Sequence, residues 1–170
     1  MMDERPLPSN RQIGRTRRAV FDAFRDLVIS RRYDDIRVAD IIDRANIGRS
    51  TFYDHFTGKD DVLLTSLEPL FAVLADAATG HPYQEHLDFV LTHFWEQRAV
   101  ARIIFGPGLF FKLTRKLSTM IEERLESDPH AAIRAAAKGP EILGLIKAWL
   151  AGEITAPADL VAKHITGKTP

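Results

Sequence analysis

Apolar residues recur along this chain at helical spacing, and no stretch shows the convincing alternation of a strand. Ile13, Val20, Phe21, Phe24, Leu27 and Val28 form one stripe of a helix that begins near Asn10, where Ser9 and Gln12 fit a capping box. The polar run from Ser30 to Asp35 ends it. A short helix is expected over residues 38–44, with Val38, Ile41, Ile42 and Ala45 on its inner side. Asn46, Ile47 and Gly48 break it, and asparagine tolerates the left-handed backbone that such a turn often needs. A second short helix over residues 49–55 carries Phe52 and Phe56, four apart and so on one face. Thr57 is a natural cap for a fourth helix, with Asp60 completing the box and Asp60 and Asp61 in the positive first turn. That helix carries Val62, Leu63, Leu67, Leu70, Phe71 and Leu74 to about Ala78. Pro69 should bend it or end it early, and a domain boundary is expected there.

The second half reads the same way. Thr79 to Pro82 is a loop, and residues 83–105 form a helix with Leu87, Val90, Leu91, Phe94 and Trp95 inward. Gly106, Pro107 and Gly108 interrupt it. A helix over residues 109–126 buries Leu113, Leu117, Met120, Ile121 and Leu125. Asp128 and Pro129 read as cap and first helical residue of the next, which reaches Leu150. Gly139 and Pro140 lie within it, so either it kinks or two helices meet there. Residues 156–165 give a last short helix. The fold class is therefore all-α.

Composition narrows the chemistry. The chain has 170 residues, 45% of them hydrophobic, enough for a substantial core in one or two domains. It contains no cysteine, which removes disulfides, thiolate metal sites and cysteine nucleophiles. No apolar run approaches the roughly 18 residues of a membrane span, and the polar start lacks the apolar core of a signal peptide. A cytoplasmic location without membrane association is expected. Net charge is zero, but Arg5, Arg11, Arg15, Arg17 and Arg18 occur together with no acid among them.

The three N-terminal helices, the last two joined by a tight turn, have the helix-turn-helix arrangement. The first of the pair braces the second, whose exposed face must fit a major groove about 12 Å wide. Phe52 and Phe56 would hold that helix to the core, leaving Arg49, Ser50, Thr51, Tyr53 and His55 to meet DNA.

The run from Val38 to Leu63, above all Thr51-Phe52-Tyr53, His55-Phe56, Lys59 and Leu63, resembles the DNA-binding signature of the TetR family of bacterial transcriptional regulators. The resemblance covers about the first 65 residues. It implies that Arg49, Ser50 and Thr51 face the groove and that Tyr53, His55 and Lys59 contact phosphate. Arg15 and Arg18, at the start of the first helix, would lie beside the DNA backbone. Arg37 stands where the family usually has threonine, and brings a cation near that backbone. Asn46 replaces a common glycine, and Gly48 replaces a serine that would cap the recognition helix. The implied organisation is an N-terminal arm and helix-turn-helix domain, residues 1–57. A helical ligand-binding and dimerisation domain follows, residues 58–170, with the helix at 58–78 as linker. The last two helices resemble the family's dimer-forming pair, and Leu143, Gly144, Ile146, Lys147, Trp149, Leu150, Leu160 and His164 are the candidate interface. Candidate lining for an effector pocket is Phe71, Leu74, Tyr83, Leu91, Phe94, Trp95, Phe105, Phe110 and Phe111.

The partners expected are thus double-stranded DNA carrying a palindromic operator, a second copy of the chain, and a small apolar or aromatic effector. No cofactor or metal is expected. His81 with Glu85, or His93 with Glu96, could share a helix face, but no HExxH, phosphate loop or nucleophile motif accompanies them, so catalysis is not expected. The alternative is a helical dimeric ligand- or protein-binding module without DNA binding.

Overall fold

The computed structural model describes residues 10–80 and 84–167, and all their regular structure is helical. In order these helices are α1 (Asn10–Ser30), α2 (Val38–Ala45), α3 (Arg49–Tyr53), α4 (Lys59–Ala78), α5 (Gln84–Glu96), α6 (Arg98–Ile104), α7 (Pro107–Arg124), α8 (Ala131–Ala151) and α9 (Ala158–Ile165), with a 3-10 turn at Tyr33–Asp35. Arg5, Ser9, His81 and Tyr83 lie outside the described residues, as do the side chains of Arg11, Gln12 and Glu85. The all-α reading holds. The chain divides into two compact units, Met1–Ser66 and Leu67–Pro170, and the division falls inside α4 just before Pro69.

The first unit forms because one stripe of α1 is apolar. Val20, Phe24, Leu27 and Val28 are buried on it, and Ile36, Ile41, Ile42, Phe52, Phe56, Val62 and Leu63 complete the core. Truncating a residue such as Phe52, which is 0% exposed, costs about 3–5 kcal/mol in general.

In the second unit α7 and α8 pack along each other, α6 and α9 lie on α8, and α5 lies on α9. Its core holds Leu87, Leu91, Leu113, Leu117, Ile142, Leu143 and Ile146. Gly139 marks where α7 approaches α8: a Cβ there would stand 2.1 Å from Ser118 Oγ and 3.2 Å from the Ser118 backbone nitrogen. Lys116 pairs with Glu68 at 2.6 Å, and Arg124 bonds Asp76, the Met120 carbonyl at 2.8 Å and the Ala72 carbonyl at 3.3 Å. The two pairs hold the C-terminal part of α4 in register with α7. Trp149 donates its indole N–H to the Ala156 carbonyl at 2.8 Å and stacks on Trp95 at 4.9 Å. Gly152, at φ 81°, ends α8 in the left-handed conformation that glycine adopts without strain.

Several expectations change. The helix expected over residues 83–105 is two, because the backbone leaves helical geometry at Gln97 (φ −96°, ψ 22°). Pro107 takes the first turn of α7, so that helix starts two residues before Leu109. Asp128 does not cap α8 directly. It accepts the His130 N–H at 2.8 Å, and α8 begins at Ala131. Both internal prolines sit in continuous helices. Pro69 and Pro140 are exposed, and Ala136, whose carbonyl loses its usual donor to Pro140, is exposed as well.

The proposed dimer surface needs a larger correction. Leu143, Ile146, Trp149 and Leu150 are each no more than 3% exposed within a single chain, so they have no surface to offer a second copy. They form intrachain core because α8 turns this face towards α6, α7 and α9. Leu160 and His164 are exposed, and Gly144 and Lys147 are partly so.

Gly139→Ala should lower stability in urea unfolding by about 1–3 kcal/mol, since overpacking outweighs the helical preference for alanine. Ser118→Gly should recover part of that loss, because it removes the Oγ and Cβ nearest the added methyl.

Candidate nucleic-acid interface

The start of α2 uses a carboxylate where a hydroxyl cap is absent. Arg37 occupies the cap position (φ −102°, ψ 154°), and its side chain has no acceptor to offer. Asp40 Oδ2 instead accepts the Arg37 backbone N–H at 2.8 Å, while Arg31 reaches the same carboxylate at 3.3 Å. That backbone N–H, aided by the charges of Arg31 and Arg37, holds the Asp40 carboxyl below its ordinary range despite partial desolvation.

The turn after α2 depends on Asn46. Its backbone lies at φ 51°, ψ 51°, and its N–H points to the Ile42 and Asp43 carbonyls. Ile47 donates to Ile42 at 3.3 Å, which closes a left-handed helix end. Gly48, with extended backbone (φ −72°, ψ 151°), starts α3 with no side-chain cap.

α3 has five residues and is seated by aromatic packing. Phe52 meets Phe56 at 5.7 Å, and Phe56 meets Phe21 of α1 edge-on at 5.6 Å. Helical hydrogen bonding continues past Tyr53, with Asp54 donating to Ser50 at 2.9 Å and Phe56 to Phe52 at 2.9 Å. With Phe52 inward, Arg49, Ser50 and Tyr53 are exposed, and Thr51 and His55 are half-buried. The Arg49 guanidinium lies 5.7 Å from the Tyr53 ring centre, so the two share one outward face. Arg37 is exposed at the start of α2.

The basic residues around this face divide into two groups. Arg44 is paired with Asp26 at 2.7 Å and Arg31 with Asp40. Among the described residues no salt bridge holds Arg15, Arg18, Arg37 or Arg49. Arg15 and Arg18 are exposed on α1. Arg17, named from the sequence only as one of the arginine cluster, packs on the rings that seat α3: its guanidinium is 5.5 Å from the Phe56 ring centre and 5.9 Å from that of Phe21. The signal for it was its place four residues before Phe21, on the flank of the apolar stripe.

Lys59 is placed differently from a free surface cation. Its ammonium donates to the Tyr33, Ile36 and Asp34 carbonyls at 2.8, 3.0 and 3.3 Å, and lies 4.5 Å from the Tyr33 ring centre. The expected capping partner of Thr57 also changes. Asp61 accepts the Thr57 backbone N–H at 2.8 Å, whereas Asp60 accepts the Tyr33 hydroxyl. Burial, then the bond and charge of Asp60, push the Tyr33 phenol well above its ordinary pKa.

The described candidate effector residues differ in exposure. Phe71, Leu74, Leu91, Phe94 and Phe105 are closed off from solvent, with Phe94 and Phe105 in edge contact at 5.5 Å. Trp95 and Phe111 are exposed, and Phe110 packs against the Lys147 ammonium at 5.0 Å.

Residues 20–65 match the model for bacterial regulatory proteins of the tetR family, a span that takes in α2, the turn, α3 and the start of α4. That segment of the chain is a tetR-family DNA-binding domain. Among curated relatives, the chain is 37% identical over 71 residues to the uncharacterized HTH-type transcriptional regulator YxbF of Bacillus subtilis, covering 41% of this chain and 19% of that one. It is 33% identical over 91 residues to the HTH-type dhaKLM operon transcriptional activator DhaS of Lactococcus lactis, covering 53% and 49%. The matches thus span about half or less of these relatives' length. Of solved structures, a TetR transcriptional regulator from Streptococcus agalactiae superposes with a TM-score of 0.59 at 25% identity, covering 94% of this chain and 96% of that one. The structure of the dihydroxyacetone kinase operon activator DhaS superposes at 0.56 with 21% identity, over 90% and 93%, which bears on the fold alone.

Asn46 carries the geometry of the turn in this tetR domain, so substitutions there should sort by backbone tolerance. Asn46→Gly should leave thermal stability within a few tenths of a kcal/mol, and Asn46→Val should cost about 1–2 kcal/mol. Melting temperatures of both variants check this.

Proposed function

We propose that this chain is a ligand-responsive transcriptional regulator that binds a palindromic DNA operator as a homodimer. The observation that carries the reading is the outward face of α3. Arg49, Ser50 and Tyr53 stand exposed on a helix that Phe52 and Phe56 fix to the core, at the place where a helix-turn-helix presents its recognition helix. Thr51 and His55 flank that face, and Arg37, Arg15 and Arg18, which no salt bridge holds among the described residues, supply charge for phosphates. Arg17, held over Phe56, joins them.

Two recognition helices roughly 34–36 Å apart would read two half-sites one turn apart, which is why a dimer is part of the proposal. The surface we assign to it is what α8 and α9 leave outward: Gly144, Lys147, Leu160 and His164. An apolar or aromatic effector taken up by the second unit, among the candidate residues from Phe71 to Phe111, would favour one spacing of the recognition helices over another. We propose repression as the direction of control. The likeness to DhaS, whose name calls it an activator, favours activation at the same face as a second reading. Transcription from the regulated promoter with and without the protein separates the two.

Tyr53 is 47% exposed, so Tyr53→Ala should leave folding and dimer mass unchanged. It should weaken binding tenfold or more to the duplex that the wild-type protein selects from a random-sequence pool. Band-shift titration together with sedimentation checks this, and unchanged affinity would remove α3 as the docking face.

A further inference from the structure

Lys59 belongs to the first turn of α4, yet its side chain runs back to the segment between α1 and α2. An ammonium carries three protons, and here three carbonyls receive them, those of Tyr33, Asp34 and Ile36. The neighbouring Asp60 accepts the Tyr33 hydroxyl, so two consecutive residues of α4 grip one 3-10 turn. The turn leads through the buried Ile36 directly into Arg37, the cap of α2. α2 in turn sets the Asn46 turn and the position of α3. An ammonium committed to three backbone acceptors would have to break those bonds to meet a phosphate.

We infer that Lys59 is a positioning residue, which ties the start of α4 to the entry of α2 and acts on DNA through the placement of α3 and not by phosphate contact. This rests on the DNA-binding reading above. Lysine is required for geometric reasons. Three acceptors on one compact cation suit a tetrahedral ammonium, whereas the planar fork of arginine matches a carboxylate or phosphate. A phosphate contact would therefore tolerate Lys59→Arg, and the positioning role would not.

The test measures the affinity of wild type, Lys59→Arg and Arg18→Ala for the duplex selected by the wild-type protein, over a series of NaCl concentrations. Amide exchange at Ile36, whose N–H donates to the Tyr33 carbonyl, is followed in the free proteins. Lys59→Arg should bind tenfold or more weakly at every salt concentration, with the slope of log affinity against log salt unchanged and Ile36 exchange at least tenfold faster. A phosphate contact removed, as in Arg18→Ala, lowers that slope by about 1. Wild-type affinity in Lys59→Arg would overturn the inference, as would lost affinity with unchanged Ile36 exchange. If Lys59→Arg does not fold, the wild-type complex decides: a scalar coupling between the ¹⁵N-labelled Lys59 ammonium and a DNA ³¹P nucleus overturns the positioning role, and retention of the free protein's ammonium signal supports it. Selection of no duplex by wild type would defeat the DNA-binding reading itself, and Ile36 exchange would then judge the Lys59 staple alone.

Discussion

A helix of five residues has too few internal hydrogen bonds to offset the cost of nucleating it, so α3 exists only as long as Phe52 and Phe56 are buried. The surface that would meet DNA depends on that seating. Phe52 is wholly enclosed by the first unit, and Phe56 extends the aromatic contact to Phe21 of α1. Because the two rings face inward, the intervening and preceding side chains face out. The same packing that stabilises the unit thus decides which residues are exposed, and its rigidity sets how accurately Arg49 and Tyr53 are held.

Polar interactions then finish what the aromatic core begins. Asp40 and Asp61 each accept a backbone N–H at a helix start, and Asn46 closes the end of α2. Arg44 and Arg31 are taken up by carboxylates on the same unit, which explains how a chain of zero net charge can still present a basic face: among the described residues the pairing is local and leaves Arg49, Arg37, Arg15 and Arg18 outside it. In the second unit the ion pairs have another use. Glu68 and Asp76 of α4 are held by Lys116 and Arg124 of α7, so α4 is tied to specific neighbours at its start in one unit and along its later turns in the other.

Much of the site is legible in the amino-acid sequence. Phe52 and Phe56 announce themselves by their four-residue spacing, and Asn46 by the backbone region it tolerates. Harder to read are contacts between residues distant along the chain. Lys59 lies 26 positions from Tyr33, and nothing in its neighbourhood along the chain says that its ammonium is spent there. Asp60 and Asp61 are chemically equivalent neighbours, and only the position of the Tyr33 hydroxyl separates the one that reaches across from the one that caps. Arg17 is one arginine in a cluster until the Phe56 ring places it beside α3.

The sequence by itself determined the helical class, the order and approximate bounds of most elements, and the identity of the helix-turn-helix, because each is written in local periodicity and turn chemistry. The tertiary structure decided which apolar face of α8 is core. Leu143, Ile146, Trp149 and Leu150 make as apolar a stripe as a dimer surface would, and periodicity cannot tell a face that meets its own chain from one that meets a copy. It also decided that α4 and α8 run on through Pro69 and Pro140, since neighbouring helices hold in place what an isolated segment would be expected to break. Local pattern says which residues seek burial. Only the packing says against what.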